Sequence, residues 1–131
     1  MFVDASALVA IIVGEPDGPA LASKMNASES RYTSPIAAYE TAMALVRLRR
    51  GTVNDATALI DNFMRDGHIG AISITAEIGR LALDAFAQFG RGNHVARLNM
   101  GDCFAYACAR SLNVPLLCKG GDFAQTDIEL A

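Results

Sequence analysis

The first ten residues, MFVDASALVA (residues 1–10), decide how the fold begins. Met1 to Val3 is a short apolar run, which predicts a buried strand, and Ser6 suits the N-cap of a helix over Ala7 to Val13. The segment GEPDG that follows has the composition of a helix break. The chain therefore opens with a strand-helix unit, and Asp4 lies where the strand ends.

Strands and helices alternate along the rest of the chain. Further helices are predicted over Ala20 to Ala27, from Ser34-Pro35 to near Gly51, and over Thr52 to Arg65, Thr75 to Phe89 and Asp102 to Leu112. Further strands are predicted over Arg31 to Thr33, Ile69 to Ile74 and Val114 to Cys118. Strands separated by helices imply a short central parallel sheet covered on both faces, so we predict an α/β three-layer domain over residues 1–131.

The amino-acid composition argues against several classes of protein. Of the 131 residues, 52% are apolar and 19% are charged, and no apolar run approaches the roughly 18 residues of a membrane span. The N-terminus lacks a basic segment followed by a small-residue cleavage site, so we expect a cytoplasmic protein with no membrane partner. The net charge of −3 argues against a surface coated in basic charge. The cysteines, Cys103, Cys108 and Cys118, form no CxxC pair, which favours buried free thiols.

Four acids occupy positions that could belong to a functional site. Asp4 ends the first strand and Asp122 follows the last one, while Asp102 opens the most apolar helix. Glu40 lies on the apolar face of its helix, where a lone carboxylate is costly to bury, and we expect it to be the most buried of the four. Helix capping would explain Asp4 and Asp102 individually. Open α/β sheets, however, place functional sites beyond the carboxyl ends of their strands, so we expect these acids to gather at one edge.

A cluster of carboxylates at one edge would repel strongly unless a cation neutralised it. Oxygen ligands without a nearby His or Cys cluster favour Mg²⁺ or Mn²⁺ over zinc. The histidines, His68 and His94, show no metal-ligand spacing. The chemistry this arrangement indicates is hydrolysis of phosphodiester bonds by a metal-activated water.

Four segments in order carry a family resemblance. They are DAS at 4–6, SPIAAYETAMAL at 34–45, LNMGDCFAYACAR at 98–110 and PLLCKGGDFAQTDI at 115–128. Together they resemble the PIN-domain ribonucleases, and more narrowly the VapC toxins of type II toxin-antitoxin pairs. The resemblance makes Asp4, Glu40 and Asp102 metal ligands, and Ser6 the hydroxyl that orients ligands or substrate.

The same resemblance implies a catalytic activity and a set of partners. It implies Mg²⁺-dependent endonucleolytic cleavage of RNA, often tRNA, and inhibition by a cognate VapB antitoxin. A homodimer and a toxin-antitoxin hetero-oligomer are implied as well. Apolar residues on the second and fourth helices, Leu21, Met25, Leu59 and Phe63, are predicted to be exposed and to cover an antitoxin helix or a second protomer.

The chain departs from the family pattern at one place. Relatives usually read KGDDF or KGEDF where this chain has KGGDF at residues 119–123, so the acid at Gly121 is missing. Either Asp122 supplies the fourth carboxylate, or that corner of the site is weaker and one ion is held instead of two.

Binding of RNA also requires positive charge. The candidates for phosphate contacts are Arg47, Arg49, Arg50, Arg91, His94 and Arg97. Lys119 follows the last predicted strand and is a further candidate beside the site. A solvated helix end and an ordinary polar loop would explain the same residues without RNA.

Two other classes of function remain open at this point. A receiver-type phosphoacceptor domain also combines a short α/β fold, acids at strand ends and Mg²⁺. Receivers, however, pair two acids after the first strand, whereas here one carboxylate lies inside a helix. The other alternative is a non-catalytic binding module that keeps the PIN fold.

Overall fold

The structure is a computed structural model that describes all residues from Met1 to Ala131. Its strands are β1 (Phe2–Val3), β2 (Arg31–Thr33), β3 (Ile69–Ala71) and β4 (Leu116–Leu117). Its α-helices are α1 (Ala5–Val13), α2 (Gly18–Ala27), α3 (Pro35–Arg47), α4 (Val53–Asp66), α5 (Ala76–Phe89) and α6 (Met100–Leu112). A short 3₁₀-helix at Phe123–Gln125 follows β4.

The four strands form one sheet in the order β3-β2-β1-β4, and every pairing is parallel. Apolar side chains alternate between its two faces. Phe2 and Leu116 pair in register and join the core cluster formed with α5 and α6. Val3 and Leu117, the next pair, join the cluster formed with α1 and α2. The sheet is thus buried on both faces, which confirms the predicted three-layer α/β fold.

Three strands are shorter than predicted, and β1 begins at Phe2 rather than Met1. Pairing stops at Ala71 rather than Ile74, and the last strand covers only Leu116–Leu117. Strand β3 pairs only with the three residues of β2, and β4 pairs with the two residues of β1, so neither ladder can extend further. The Ile72 N–H makes a last hydrogen bond to the Thr33 carbonyl of β2 at 2.9 Å, and the side chains of Ile72 and Ile74 pack against the core beyond the strand. The apolar side chains of Ile72 and Ile74 therefore reflect packing against the core and do not extend the strand.

Three helices begin two residues earlier than predicted, and one of them is α2, which starts at Gly18 rather than Ala20. Helix α1 starts at Ala5 with Asp4 as its N-cap, because the Asp4 carboxylate accepts a hydrogen bond from the Ser6 N–H. The prediction of Ser6 as N-cap is therefore wrong. Helix α6 starts at Met100 behind an Asn99 N-cap, and Asp102 completes a capping box as the third helical residue. Both acids thus have a local structural role in addition to any functional one.

Helix α3 ends at Arg47 and does not continue to near Gly51 as predicted. Arg49 takes a left-handed conformation with φ of 56°, and the N–H of Arg50 donates to the carbonyl of Leu45 at 3.0 Å. This closure satisfies carbonyl groups of the last helical turn. Arg49 and Arg50 consequently lie beyond the helix, on the exposed connection to α4.

The prediction of exposed apolar residues on α2 is wrong. Leu21 and Met25 are buried, because they pack with Ile69 and Leu117 in the core cluster on the α1 side of the sheet. Phe63 is partly buried against the same cluster, and Leu59 alone of the four is exposed.

The structure forms no disulfide, and Cys103 and Cys108 are buried, as predicted, while Cys118 is partly exposed. None of the helices could cross a membrane by itself. Only α1 and α2 taken together reach the necessary length and apolar composition, and they are bent by 117° at the break between them.

Candidate active site

The order of the strands fixes where a site can form. The chain moves outward from β1 through β2 to β3, and β4 then pairs with the other edge of β1. Such a reversal opens a crevice at the carboxyl ends of β1 and β4, which is where open α/β sheets bind ligands. Asp4 follows β1 directly, and its N–H donates to the Leu117 carbonyl of β4 at 2.9 Å. Asp4 therefore lies at the point of reversal.

A cleft of about 210 Å³ opens at this point. Three carboxylates from three separate elements line it: Asp4 at the start of α1, Glu40 in the middle of α3 and Asp102 in the first turn of α6. The residues that complete its wall are Ala5, Ser6, Val9, Ala44 and Arg47. Three of the four predicted acids are thus brought together, although no three side chains stand close enough to ligate a single ion directly.

Asp122, the fourth predicted acid, does not line the cleft. It is exposed at the start of the 3₁₀-helix and makes no side-chain capping hydrogen bond. Its charge nevertheless contributes to raising the pKa of Asp102. Asp122 therefore lies within electrostatic reach of the cleft without forming part of its wall.

Asp4 is held by its neighbours in the fold. Its Oδ2 accepts hydrogen bonds from the Ser6 N–H at 2.9 Å and the Ser6 hydroxyl at 2.5 Å. The Ser6 Oγ in turn accepts from the backbone N–H of Lys119 at 2.9 Å. Ser6 therefore connects the loop after β4 to the carboxylate after β1.

Asp4 is also the most buried of the three cleft acids, with 4% exposure. The prediction that Glu40 is the most buried acid is wrong, because Glu40 is only half-buried. Its position on α3 points the carboxylate into the open cleft, whereas Asp4 lies at the end of β1 beside β4.

The electrostatics of the cleft disfavour negative charge. Burial raises the pKa of Asp4, although its hydrogen bonds with Ser6 oppose that effect. Burial, followed by the charges of Asp4 and Asp102, raises the pKa of Glu40 to about 7. Burial is also the main cause that raises the pKa of Asp102 to about 6. The three carboxylates lack a countercharge sufficient to balance them, so a bound cation would relieve both their burial and their repulsion.

The predicted basic residues divide into two groups. Arg47 lines the cleft, one turn after Ala44 and two turns after Glu40 on the same face of α3. Arg91 lies close enough for its charge to oppose the rise in the Asp102 pKa. Lys119 points elsewhere, because its Nζ pairs with Glu15 at 2.5 Å and Asp17 at 3.7 Å. Its backbone N–H, which no sequence pattern indicated, is the part of Lys119 that reaches the site.

The loop between α5 and α6 forms a second cleft, of about 490 Å³, beside the acidic one. Its lining includes Arg91, His94 and Arg97. The Nδ1 of His94 accepts a hydrogen bond from the Ala96 N–H at 3.1 Å, and its ring stacks edge-on against Phe89 at 5.2 Å between centroids. His94 therefore supports the loop structurally, while the two arginines are exposed.

Comparison with known proteins agrees with this geometry. The family model described as "PIN domain" matches residues 1–129. The chain belongs to the PIN domain family. This PIN domain is 36% identical over 139 residues to a VapC ribonuclease of Rhizobium meliloti, covering 97% of the chain and 98% of that relative. It is 37% identical over 133 residues to ribonuclease VapC42 of Mycobacterium tuberculosis, covering 100% of the chain and 98% of that relative.

The fold also matches a solved structure. The crystal structure of VapC20 from Mycobacterium tuberculosis, described as a sarcin-ricin loop cleaving toxin, superposes with a TM-score of 0.76. The match covers 99% of this PIN domain and 97% of that chain at 22% identity. The receiver alternative is excluded by the family and by the topology, because receivers have the strand order 2-1-3-4-5 whereas this sheet has 3-2-1-4.

Proposed function

We propose that this PIN domain is a VapC-type toxin, an endoribonuclease that hydrolyses phosphodiester bonds in RNA with Mg²⁺ or Mn²⁺. One observation carries the proposal. Three carboxylates from three elements share a cleft at the reversal point of the sheet. The relatives that match the whole chain are named ribonucleases, so the cleft is the natural place for that activity.

The proposed metal ligands are Asp4, Glu40 and Asp102, with Asp122 as a fourth carboxylate nearby. Their donor atoms are all oxygens, which suits a hard cation. Mg²⁺ keeps several of its waters and takes one or two carboxylates directly, so the three acids need not converge on one point. The raised pKa values of Glu40 and Asp102 support the same assignment, because a dication would stabilise the charged forms that burial penalises.

The residues of the chain have distinct roles in this proposal. A bound ion would activate the attacking water and stabilise the leaving oxygen. Ser6 orients the Asp4 carboxylate through two hydrogen bonds. Burial raises the pKa of Glu40 to about 7, so binding of a cation to its carboxylate would release protons near neutral pH. Asp102 is fixed by the backbone N–H of Asn99, which donates to its carboxylate at 2.8 Å.

The proposed substrate is RNA, with tRNA as the first class to test. Arg47 in the acidic cleft and Arg91 and Arg97 on the loop between α5 and α6 place positive charge near the carboxylates. Such contacts would bind phosphates flanking the cleaved bond and offset repulsion between RNA and the acids. Lys119 is a weaker candidate, because Glu15 and Asp17 already pair with its ammonium group.

The proposed partners are a VapB-like antitoxin and a second copy of the chain, in a cytoplasmic homodimer and toxin-antitoxin hetero-oligomer. Large apolar side chains remain exposed on two surfaces. Tyr39 and Val53 border a groove between α3 and α4, and Leu83, Phe86 and Met100 surround a cavity between α5 and α6. Sedimentation of the purified chain as a strict monomer at high micromolar concentration would contradict the homodimer.

Cleavage by the purified chain, free of any antitoxin, tests the proposed activity. The chain is incubated with total tRNA in Mg²⁺, in Mn²⁺ and in EDTA, and the 5′ ends of the products are sequenced. We expect discrete cleavage sites with either ion and none in EDTA. Binding of RNA without cleavage under all conditions would instead favour the non-catalytic binding module.

A further inference from the structure

The first turn of α6 packs against the carboxylate of Glu40. Gly101 is the second helical residue there and is buried. A Cβ atom built on Gly101 would overlap both carboxylate oxygens and the Cδ of Glu40, far inside any real contact distance. The carboxylate thus occupies the space where every other amino acid would have its side chain.

Backbone conformation does not explain this glycine. Gly101 is not among the glycines with positive φ, so an alanine could adopt its backbone angles. Glycine within a helix is normally destabilising relative to alanine. Gly79 in α5 provides the comparison, because a Cβ there would meet nothing within 4 Å. Gly101 and Gly79 are both helical, and only Gly101 has a candidate active-site carboxylate pressed against it.

We propose that Gly101 is a positioning residue for Glu40. The missing side chain lets the Glu40 carboxylate lie against the start of α6, next to Asp102, and so determines where it stands in the cleft. A methyl group at residue 101 would push the carboxylate away from α6 while leaving every charge in place. Any effect of Gly101 on cation binding rests on the proposed function, whereas the steric contact between Gly101 and Glu40 does not.

A double-mutant cycle in metal-free protein tests the contact directly. The four proteins are the wild type, Gly101→Ala, Glu40→Ala and the double variant, with thermal unfolding measured in EDTA. We expect Gly101→Ala to raise the melting temperature in the Glu40→Ala background, as relief of a helical glycine should. With Glu40 present, the same change should give a smaller rise or a fall. Gly79→Ala is the matched control and should have the same effect in both backgrounds.

Mg²⁺ provides a second readout that does not depend on catalysis. Binding to the folded state raises the melting temperature of the wild type. We expect Gly101→Ala to lose most of this rise although it retains all the carboxylates, and Gly79→Ala to keep it. A merely structural glycine would lower stability without changing the response to Mg²⁺.

Three results would overturn the proposal. The first is an effect of Gly101→Ala on melting temperature that is the same in the wild type and in the Glu40→Ala background. The second is failure of Gly101→Ala to fold in both backgrounds, since the obstacle would then not be Glu40. The third is a full Mg²⁺ response in Gly101→Ala. A wild type that ignores Mg²⁺ would instead contradict the proposed metal site, and the metal-free cycle would still decide the role of Gly101.

Discussion

The acidic cleft and the basic loop beside it differ in how their charges are balanced. In the cleft, Asp4, Glu40 and Asp102 are buried or partly buried together, and all three pKa values are raised. In the loop, Arg91 and Arg97 are exposed to solvent and carry no comparable cost of burial. The unfavourable electrostatic energy of the folded chain is therefore concentrated in the cleft.

The basic loop is also stabilised by hydrogen bonds of its own. The N–H of Arg91 donates to the Leu98 carbonyl and the N–H of Leu98 donates to the Phe89 carbonyl, each at 3.0 Å. The side chain of Asn93 donates to the Ala87 carbonyl, and Leu98 is buried. The loop can thus present its cations without a ligand, whereas a bound cation would relieve the repulsion among the carboxylates of the cleft. Removal of charge is therefore expected to have different effects in the acidic cleft and in the basic loop.

The largest expected effect comes from the cleft. Asp4→Asn removes the charge of a proposed metal ligand but keeps a good N-cap for α1. Loss of a partner that only supports a ligand typically costs 10–100-fold, so loss of a ligand should lower cleavage by about 100-fold or more. Metal-free stability should hold or rise, because a buried carboxylate is neutralised. Cleavage assays and urea unfolding in EDTA measure the two effects.

The control for Asp4→Asn is Asp84→Asn on the exposed side of α5, which should change neither quantity. Asp102→Asn should behave like Asp4→Asn. Cleavage at the wild-type rate by either site variant would contradict the assignment of the cleft as the active site.

The second expected effect comes from the loop. Arg91→Gln with Arg97→Gln should weaken RNA binding by about tenfold at moderate salt, raising KM while kcat changes little. The slope of log affinity against log salt should fall by about 1 for each phosphate that is no longer neutralised. The control variant is Arg80→Gln, because Arg80 is exposed on α5. An unchanged salt slope in the loop variant would show that RNA does not follow this surface.

Much of this arrangement could be predicted from sequence, for reasons that differ between residues. The sequence predicts Asp4 as a site residue because a carboxylate at the end of a buried strand must lie at the sheet edge. It predicts Glu40 as a site residue because a lone carboxylate is costly to bury on the apolar face of a helix. These inferences need only local patterns and the parallel topology that those patterns imply.

Other features depended on contacts between distant parts of the chain. The hydrogen bond from the Lys119 N–H to Ser6 joins residues 113 positions apart and involves a backbone atom common to nearly every residue type. The fit of Glu40 against Gly101 depends on how α3 packs on α6. Burial of Leu21 likewise depends on the placement of α2 against the sheet. No local pattern encodes such packing.

The third prediction concerns pH. The folded-state pKa values of Glu40 and Asp102, about 7 and about 6, lie above their ordinary values of 4.5 and 3.8. Between these limits the folded state binds more protons than the unfolded state, so stability falls as pH rises from about 4 to about 7. The loss should be on the order of 1 kcal/mol, because solvent screens both partly exposed groups.

Urea unfolding of metal-free wild type and Glu40→Gln across this pH range measures the effect. The wild type should lose stability relative to Glu40→Gln as pH rises, since the glutamine cannot ionise. Parallel curves for the two proteins would show that Glu40 titrates normally. Arg91→Gln should make the fall slightly steeper, because Arg91 opposes the rise in the Asp102 pKa.

The smallest expected effect lies at Gly121 and Asp122. Asp122 is exposed but raises the pKa of Asp102, so it acts on the cleft through its charge. We expect Asp122→Asn to shift the Mg²⁺ midpoint upward and to lower the cleavage rate by about fivefold, which corresponds to about 1 kcal/mol. The effect should be smaller than that of Asp4→Asn, because water screens the charge of Asp122.

Gly121→Asp distinguishes the two explanations for the missing acid. The left-handed glycine of this loop is Gly120, with φ of 93°, whereas Gly121 has no positive φ and open space around its Cβ position. An aspartate there would carry no backbone strain, so its effect on Mg²⁺ reports on the site alone. If Asp122 already supplies the fourth carboxylate, Gly121→Asp should add little. A tighter Mg²⁺ midpoint in Gly121→Asp, together with an Asp122→Asn titration that overlays the wild type, would instead show that this corner is vacant and that three carboxylates hold the ion.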